Sequence, residues 1–241
     1  MVVQDLGVIQ PVDTGQWPFN VPVIRQIAAE GLRLEQPITF FVGENGSGKS
    51  TVIEAIAEAY GFDVRGGHGK RRYAPAAPKG PLGQRLSLGL TLEGRRMKAN
   101  KSPGFFLRTE TALGVFEFMS DYRVSGYGDK HLGEVSHGEG YLQVLFGRFQ
   151  EKGLYLLDEP EAALSFHSCL LLMEQLAHVV RNGSQVICVT HSPILSALPG
   201  AGVVEFGAHG FRRSAWEQLE LVEYWRRYLG DPSKYLADMD L

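Results

Sequence analysis

Cysteine is scarce: two in 241 residues, too few for a disulfide framework or a zinc site. Cys169 falls in a helical pattern and Cys188 in the apolar run Val186 to Val189, so both are expected as reduced core residues, with a metal or redox role as the alternative. No apolar run approaches the length of a membrane-spanning helix. The opening MVVQDLGVIQPVD has neither a basic n-region nor a long apolar stretch, and a cytoplasmic protein is expected. Positive charge is not in excess either, since 24 Lys and Arg face 27 Asp and Glu for a formal charge of -3. Any nucleic-acid contact must therefore come from a local patch. There is no internal repeat and no heptad run long enough for a coiled coil. The histidines His68, His131, His137, His167, His178 and His209 show no metal-ligand spacing.

What is present is a core-forming composition, 44% hydrophobic, enough for one large domain or a domain with a small lobe. Val2 to Ile9 reads as a strand, and Val21 to Ala29 as a helix stopped by Gly31. Gly61 to Pro81 is rich in Gly, Pro and basic residues and reads as a long exposed loop. Leu86 to Leu92 alternates as a strand, and Phe105 to Leu107 is a shorter candidate beyond the basic stretch RRMKANK. Helical patterns cover Glu110 to Tyr122, Gly140 to Lys152, Ala162 to Val180 and Trp216 to Leu229. Buried strands are expected at Leu154 to Leu157, Gln185 to Thr190 and Val203 to Phe206. Strands alternating with helices predict an α/β fold with a mainly parallel sheet.

Between the strand Ile38 to Val42 and the amphipathic helix Lys49 to Tyr60 stands G-E-N-G-S-G-K-S, from Gly43 to Ser50. Gly, four residues, Gly-Lys-Ser is the P-loop spacing, and both required flanks are present. Gly43, Gly46 and Gly48 let the main chain wrap a ligand, with Glu44, Asn45 and Ser47 lending their backbone amides. The helix N-terminus at Lys49, Ser50 and Thr51 suits phosphate, Lys49 reaches the terminal oxygens, and the Ser50 hydroxyl suits Mg²⁺. A mere Gly-rich turn would have no use for Lys-Ser.

The run Leu154 to Leu157 delivers Asp158 and Glu159 to the C-terminal edge of a sheet, where ligands of open α/β folds bind. Asp158 would orient Mg²⁺, and Glu159 would accept a proton from the attacking water. The alternative is an acidic cap at a strand end before Pro160. His191, after the strand Gln185 to Thr190, can donate to the terminal phosphate, unless His191-Ser192-Pro193 is only a helix-capping turn.

In this order the pieces resemble the ATP-binding cassette (ABC) superfamily of ATPases. The resemblance implies an α/β P-loop NTPase of ABC-ATPase type spanning residues 1–241, with a mainly parallel core sheet, flanking helices, an antiparallel β portion and a small helical signature lobe at about 109–152. A basic, loop-rich insertion is placed at about 61–104. It implies ATP and Mg²⁺ as ligands. Val135-Ser136-His137-Gly138-Glu139 stands where the family carries its signature loop: Ser136 and Gly138 match, while His137 and Glu139 depart. In the family this loop closes over nucleotide held by a second subunit, which implies a head-to-tail homodimer with Ser136, Gly138 and Glu139 contributing to the partner's site. Glu161 to Ser165 takes the place of the D-loop. The glutamine expected after the strand at Phe106 to Arg108 is missing, and its metal-contacting role passes to Glu110. Trp17 or Phe19 is a candidate adenine platform, with buried packing as the alternative.

Within the superfamily, the interval Glu110 to Ser136 is too short for a transporter's helical subdomain and contains no coiled-coil arm. The chain is therefore similar to small, armless SMC-like ATPases of genome maintenance and defence. A transporter nucleotide-binding subunit is the alternative, with a membrane partner disfavoured, and a slow ATP-dependent dimerisation switch that docks a partner protein is another. Basic residues at 65–79 (Arg65, His68, Lys70, Arg71, Arg72, Lys79) and 95–101 (Arg95, Arg96, Lys98, Lys101) could contact a phosphate backbone or form a solvated lobe. The apolar face of the helix from Trp216 is expected to pack on the sheet, or else to dock a partner.

Overall fold

The computed structural model describes residues 1–68, 77–100, 104–108, 137–149 and 151–236. Two sheets organise them. The larger has seven strands in the order β10-β9-β3-β8-β7-β6-β4. These are β3 (Ile38–Gly43), β4 (Gly67–His68), β6 (Gly104–Arg108), β7 (Leu154–Asp158), β8 (Gln185–Thr190), β9 (Gly202–Gly207) and β10 (Gly210–Arg213). Strands β9, β3, β8, β7 and β6 run parallel, and the edge strands β10 and β4 are antiparallel to their neighbours. The smaller sheet is antiparallel in the order β2-β1-β5, from β1 (Val3–Val8), β2 (Leu32–Arg33) and β5 (Leu86–Leu90). The alternation expected from sequence is thus realised, antiparallel portion included.

Strand pleating divides the interior in two. Phe41, Phe106, Leu154, Leu156, Ile187, Val189, Val204 and Phe206 face one core, shared with the small sheet, α1 (Pro22–Glu30) and α2 (Lys49–Tyr60). Phe40, Val42, Leu107, Tyr155, Leu157, Val186, Cys188 and Val203 face the other. That second core is shared with α5 (His137–Phe146), α6 (Phe166–Arg181) and α7 (Glu220–Gly230). Because the central strands are covered on both faces, they read as continuous apolar runs. Gln185, fully buried at the start of β8, ties the two sheets together. Its Oε1 accepts the N–H groups of Val2 and Val3, both at 2.7 Å, and its Nε2 donates to the Val3 carbonyl at 2.8 Å.

Several elements differ from the sequence expectation. Within the region expected as loop-rich, residues 61–66 and 77–80 are loop, whereas β4 and, from Pro81, a helix, a strand and a helix are formed: α3 (Pro81–Arg85), β5 and α4 (Leu92–Ala99). Pro81 starts α3 at its first turn. Thr91 caps α4 by accepting from the Gly94 N–H at 2.8 Å, while Arg96 and Lys98 sit in its last turn, where cations suit the helix dipole. The strand at Leu86 accordingly ends at Leu90. The helix expected from Ala162 begins only at Phe166. A short 3₁₀ turn, Pro160–Ala163, comes first, and Ser165 caps α6 by accepting from the Ser168 N–H. The helix expected over Gly140 to Lys152 is shifted to His137–Phe146.

Of the C-terminal apolar face, Leu219 and Val222 pack in the core, whereas Tyr224, Trp225, Tyr228 and Leu229 are exposed; the expected docking on the sheet holds for only part of it. Helix α8 (Ser233–Leu236) follows. Both cysteines are buried free thiols. The helix expected over Glu110 to Tyr122 lies outside the described residues. Among the described residues no helix is long and apolar enough to cross a membrane.

Candidate nucleotide site

Strand β3 is buried through Val42 and brings Gly43 to the C-terminal edge of the sheet. A Cβ there would lie 2.1 Å from the Phe206 carbonyl oxygen on β9, and the residue has φ 153°, so only glycine fits. Gly48, at φ 98°, turns the chain into α2, and Glu44, Asn45 and Gly46 form the exposed tip of the loop. Lys49 is buried and its Nζ donates to the carbonyls of Gly43 and Glu44, both at 2.8 Å, with Ser47 Oγ at 3.4 Å. The loop thus wraps its own lysine. Burial pushes the Lys49 ammonium below its usual pKa, opposed by the negative charges of Glu159, Asp158, Glu161 and Glu44.

Ser50, in the first turn of α2 beside Thr51, donates from Oγ to Asp158 Oδ1 at 3.2 Å. Asp158 is the last residue of β7, and burial raises its carboxyl to about 6. The Ser50 hydrogen bond and the charge of Arg108 oppose that rise, and the charges of Glu159 and Glu54 add to it. Two hard oxygens so placed fit Mg²⁺, which takes one or two protein oxygens and fills its octahedron with phosphate and water. Among the described residues no group of three or more His, Cys, Asp or Glu could hold a metal ion by itself.

Glu159 follows with φ 52° and ψ 52°, the one non-glycine among the described residues at positive φ. Its N–H donates to the Val189 carbonyl at 3.0 Å, and its Oε1 lies 3.1 Å from His191 Nε2. Burial and the nearby charge of Lys49 lower the His191 pKa, with Glu159 acting against both. Neutral imidazole is therefore the dominant form at pH 7. Ser192 does cap a turn, its Oγ accepting from Ile194 and Leu195 N–H at 3.2 and 3.3 Å. The capping role belongs to Ser192, and His191 is left to face Glu159.

Gly43 to Thr51, Asp158, Glu159 and His191 are therefore brought together at one sheet edge, with β8 lying between β3 and β7. Glu110 and Ser136 lie outside the described residues, as do Lys70, Arg71, Arg72 and Lys101. Gly138 and Glu139 fall in the first turn of α5, which packs against α6 and the 3₁₀ turn after Glu159. Trp17 is 63% exposed and Phe19 is buried in the core, so the packing alternative holds for Phe19 alone. Of the basic residues, Arg65 pairs with Asp63 at 2.6 Å and Lys98 donates to the Ala59 carbonyl at 2.8 Å.

Two groups had no assigned chemistry in the sequence. Glu161 is half-buried, and its Oε1 accepts from Thr190 Oγ1 and from the His191 N–H, both at 2.6 Å. Burial raises its pKa. It fixes the backbone from which His191 projects, and nothing in sequence marks that role beyond nearness to the acids. Arg108, the last residue of β6, pairs with Glu54 of α2 at 3.1 Å. The spacing of Glu54, four residues after Ser50 on one helix face, was the available signal.

Comparison with known proteins gives two AAA-domain family matches. One, described as "AAA domain", covers residues 24–78, and the other, described as "AAA domain, putative AbiEii toxin, Type IV TA system", covers residues 132–197. The chain is 28% identical over 176 residues to the hemin import ATP-binding protein HmuV of Rhodopseudomonas palustris (strain BisA53), covering 65% of this chain and 63% of that protein. Against HmuV of Streptomyces coelicolor (strain ATCC BAA-471 / A3(2) / M145) it is 31% identical over 172 residues, covering 65% and 60%. The chain thus spans about three-fifths of the length of these curated relatives. Among solved structures, a chain of a metal-chelate type ABC transporter in an inward-facing conformation matches with TM-score 0.49 and 14% identity, over 95% of this chain and 89% of that one. An ATP binding subunit of an ABC transporter matches with TM-score 0.49 and 14% identity, over 95% and 93%.

Proposed function

The chain is a member of the ABC superfamily of P-loop ATPases, and from that premise we propose that it binds Mg·ATP and hydrolyses it as a head-to-tail dimer with nucleotide sandwiched between the subunits. The observation that carries this is the convergence of Ser50 on Asp158 at 3.2 Å and of Glu159 on His191 at 3.1 Å, beside a P-loop whose lysine is already buried in the cradle. In this reading the loop amides and Lys49 hold the phosphates, and Ser50 with Asp158 hold Mg²⁺, which neutralises charge on the terminal phosphates. Glu159 takes the proton of the attacking water, and His191, which rests on Glu159 in this structure, turns its one N–H to the terminal phosphate when nucleotide is bound. Ser136, Gly138 and Glu139 complete the partner's site, and Glu110 contributes on the metal side.

The work driven by hydrolysis has two readings. A soluble SMC-like ATPase of genome maintenance or defence is supported by the two AAA-domain matches and by the short interval from Glu110 to Ser136. A transporter nucleotide-binding subunit, docked on a membrane partner, is supported by the hemin import relatives. Both readings require the same sandwich. Glu159→Gln, which keeps the shape of the acid and removes its basicity, is expected to accumulate an ATP-bound dimer that ADP does not support, measured by light scattering after gel filtration. A variant that stays monomeric in saturating Mg·ATP would rule the sandwich out.

A further inference from the structure

Strands β6 and β7 run parallel in register, with Gly104 opposite Leu154, Phe106 opposite Leu156 and Arg108 opposite Asp158. Since Phe106, Leu154 and Leu156 face the core beneath α2, the two-residue period of the pleat sends Arg108 and Asp158 toward α2 as well. Helix α2 meets them with two polar residues one turn apart. Ser50 takes Asp158, and Glu54 takes Arg108 at 3.1 Å. Four side chains from three elements thus line the metal side of the loop, and one of them is a cation the nucleotide reading leaves unused.

The Arg108–Glu54 pair is about one-third exposed on each side, 31% and 29%, and an ion pair so open to water is a weak attachment. A phosphate oxygen is a stronger partner, because the guanidinium offers a planar fork of donors to it. The distances are short. Neighbouring strands lie about 4.8 Å apart, and one helical turn, about 5.4 Å, separates Glu54 from the level of Ser50. A change of rotamer along the long arginine stem covers that step. Resting on the nucleotide reading above, we propose that Arg108 reads the terminal phosphate of the bound nucleoside triphosphate, and that Glu54 stows it while that phosphate is absent. A diphosphate would leave Arg108 on Glu54, so the pair discriminates between the two nucleotides.

The test is calorimetric titration of a non-hydrolysable ATP analogue and of ADP, each with Mg²⁺, into the wild type, Arg108→Ala, Arg108→Lys and Glu54→Gln, with a melting curve for each protein. Arg108→Ala is expected to weaken the analogue about tenfold or more and to leave ADP within about twofold, the loss of one charge-assisted contact. Arg108→Lys restores part of that loss. Glu54→Gln breaks the same pair from the other side, and tightening of the analogue by about two- to threefold is expected, because the Glu54 carboxylate no longer competes with the phosphate for the arginine. A purely structural pair behaves otherwise: both variants melt earlier and shift both nucleotides alike, which overturns the proposal. A wild type that binds neither nucleotide overturns the nucleotide reading with it, whereas tight binding with an unchanged analogue-to-ADP ratio in every variant removes only the role of Arg108.

Discussion

Replacing Asp158 by Asn tests the electrostatics of the site without touching its shape. The Asp158 carboxyl is raised from 3.8 to about 6, chiefly by burial, so the nucleotide-free protein holds an anion there at a cost. A shift of about two pH units corresponds to about 3 kcal/mol. The folded state binds the proton more tightly than the unfolded chain, and stability contributed by this group is whole below pH 3.8 and lost as pH rises through 6. Asn cannot ionise, and its Oδ1 can still accept from Ser50. The Asp158→Asn protein should therefore be up to about 3 kcal/mol more stable than wild type at pH 8, a rise of about 6–12 °C in Tm for a chain of this size. The gain should vanish near pH 4. Urea titrations at pH 4, 6 and 8 in EDTA, without nucleotide, measure it. A variant that is neutral or less stable at pH 8, or that gains equally at pH 4 and pH 8, would refute the reasoning. Adding Mg·ATP should reverse the order, since only the wild type gains from the ligand.

Glu161→Ala leaves the Thr190 hydroxyl and the His191 N–H without their acceptor and should cost about 2–4 kcal/mol in urea denaturation, while Glu161→Gln, which keeps an acceptor oxygen, should cost less than half of that. Gly43→Ala drives a methyl to 2.1 Å from the Phe206 carbonyl and requires an L-residue at φ 153°, so a loss of more than about 2 kcal/mol is expected, with nucleotide binding abolished, followed by thermal melting and titration. Gln185→Ala strips the acceptor from the Val2 and Val3 amides and should speed their hydrogen exchange by more than about tenfold, with the β8 amides less affected.

The P-loop and the Asp158–Glu159 step were readable from sequence because their chemistry is local: one strand, one turn and one helix supply every group, and the spacing cannot drift without destroying the cradle. The central strands were readable too, since burial on both faces leaves continuous apolar runs such as Tyr155 to Leu157 and Val186 to Val189. Helices α3 and α4 escaped because their start signals, Pro81 and Thr91, sit in a stretch whose Gly, Pro and basic content dominates the reading. Strand β10 is four residues long and owes its form to pairing with β9 rather than to its own pattern. The break before α6 depends on Ser165 turning back on Ser168, a cap hidden inside an apparently unbroken helical run. Glu161 and the Arg108–Glu54 pair act across elements distant in the chain, and only the assembled sheet edge brings them to their partners.

The left-handed backbone at Glu159 sets a price on chemistry at that position. Asparagine and glycine rest there with less strain than glutamate does, and the neighbouring aspartate is likewise an anion the empty fold would rather not carry. At two consecutive positions, then, the residue that the proposed chemistry calls for is not the residue that folds best. Drift toward sturdier variants of this chain would erase its acids first, and the sturdiest descendants would be the idle ones.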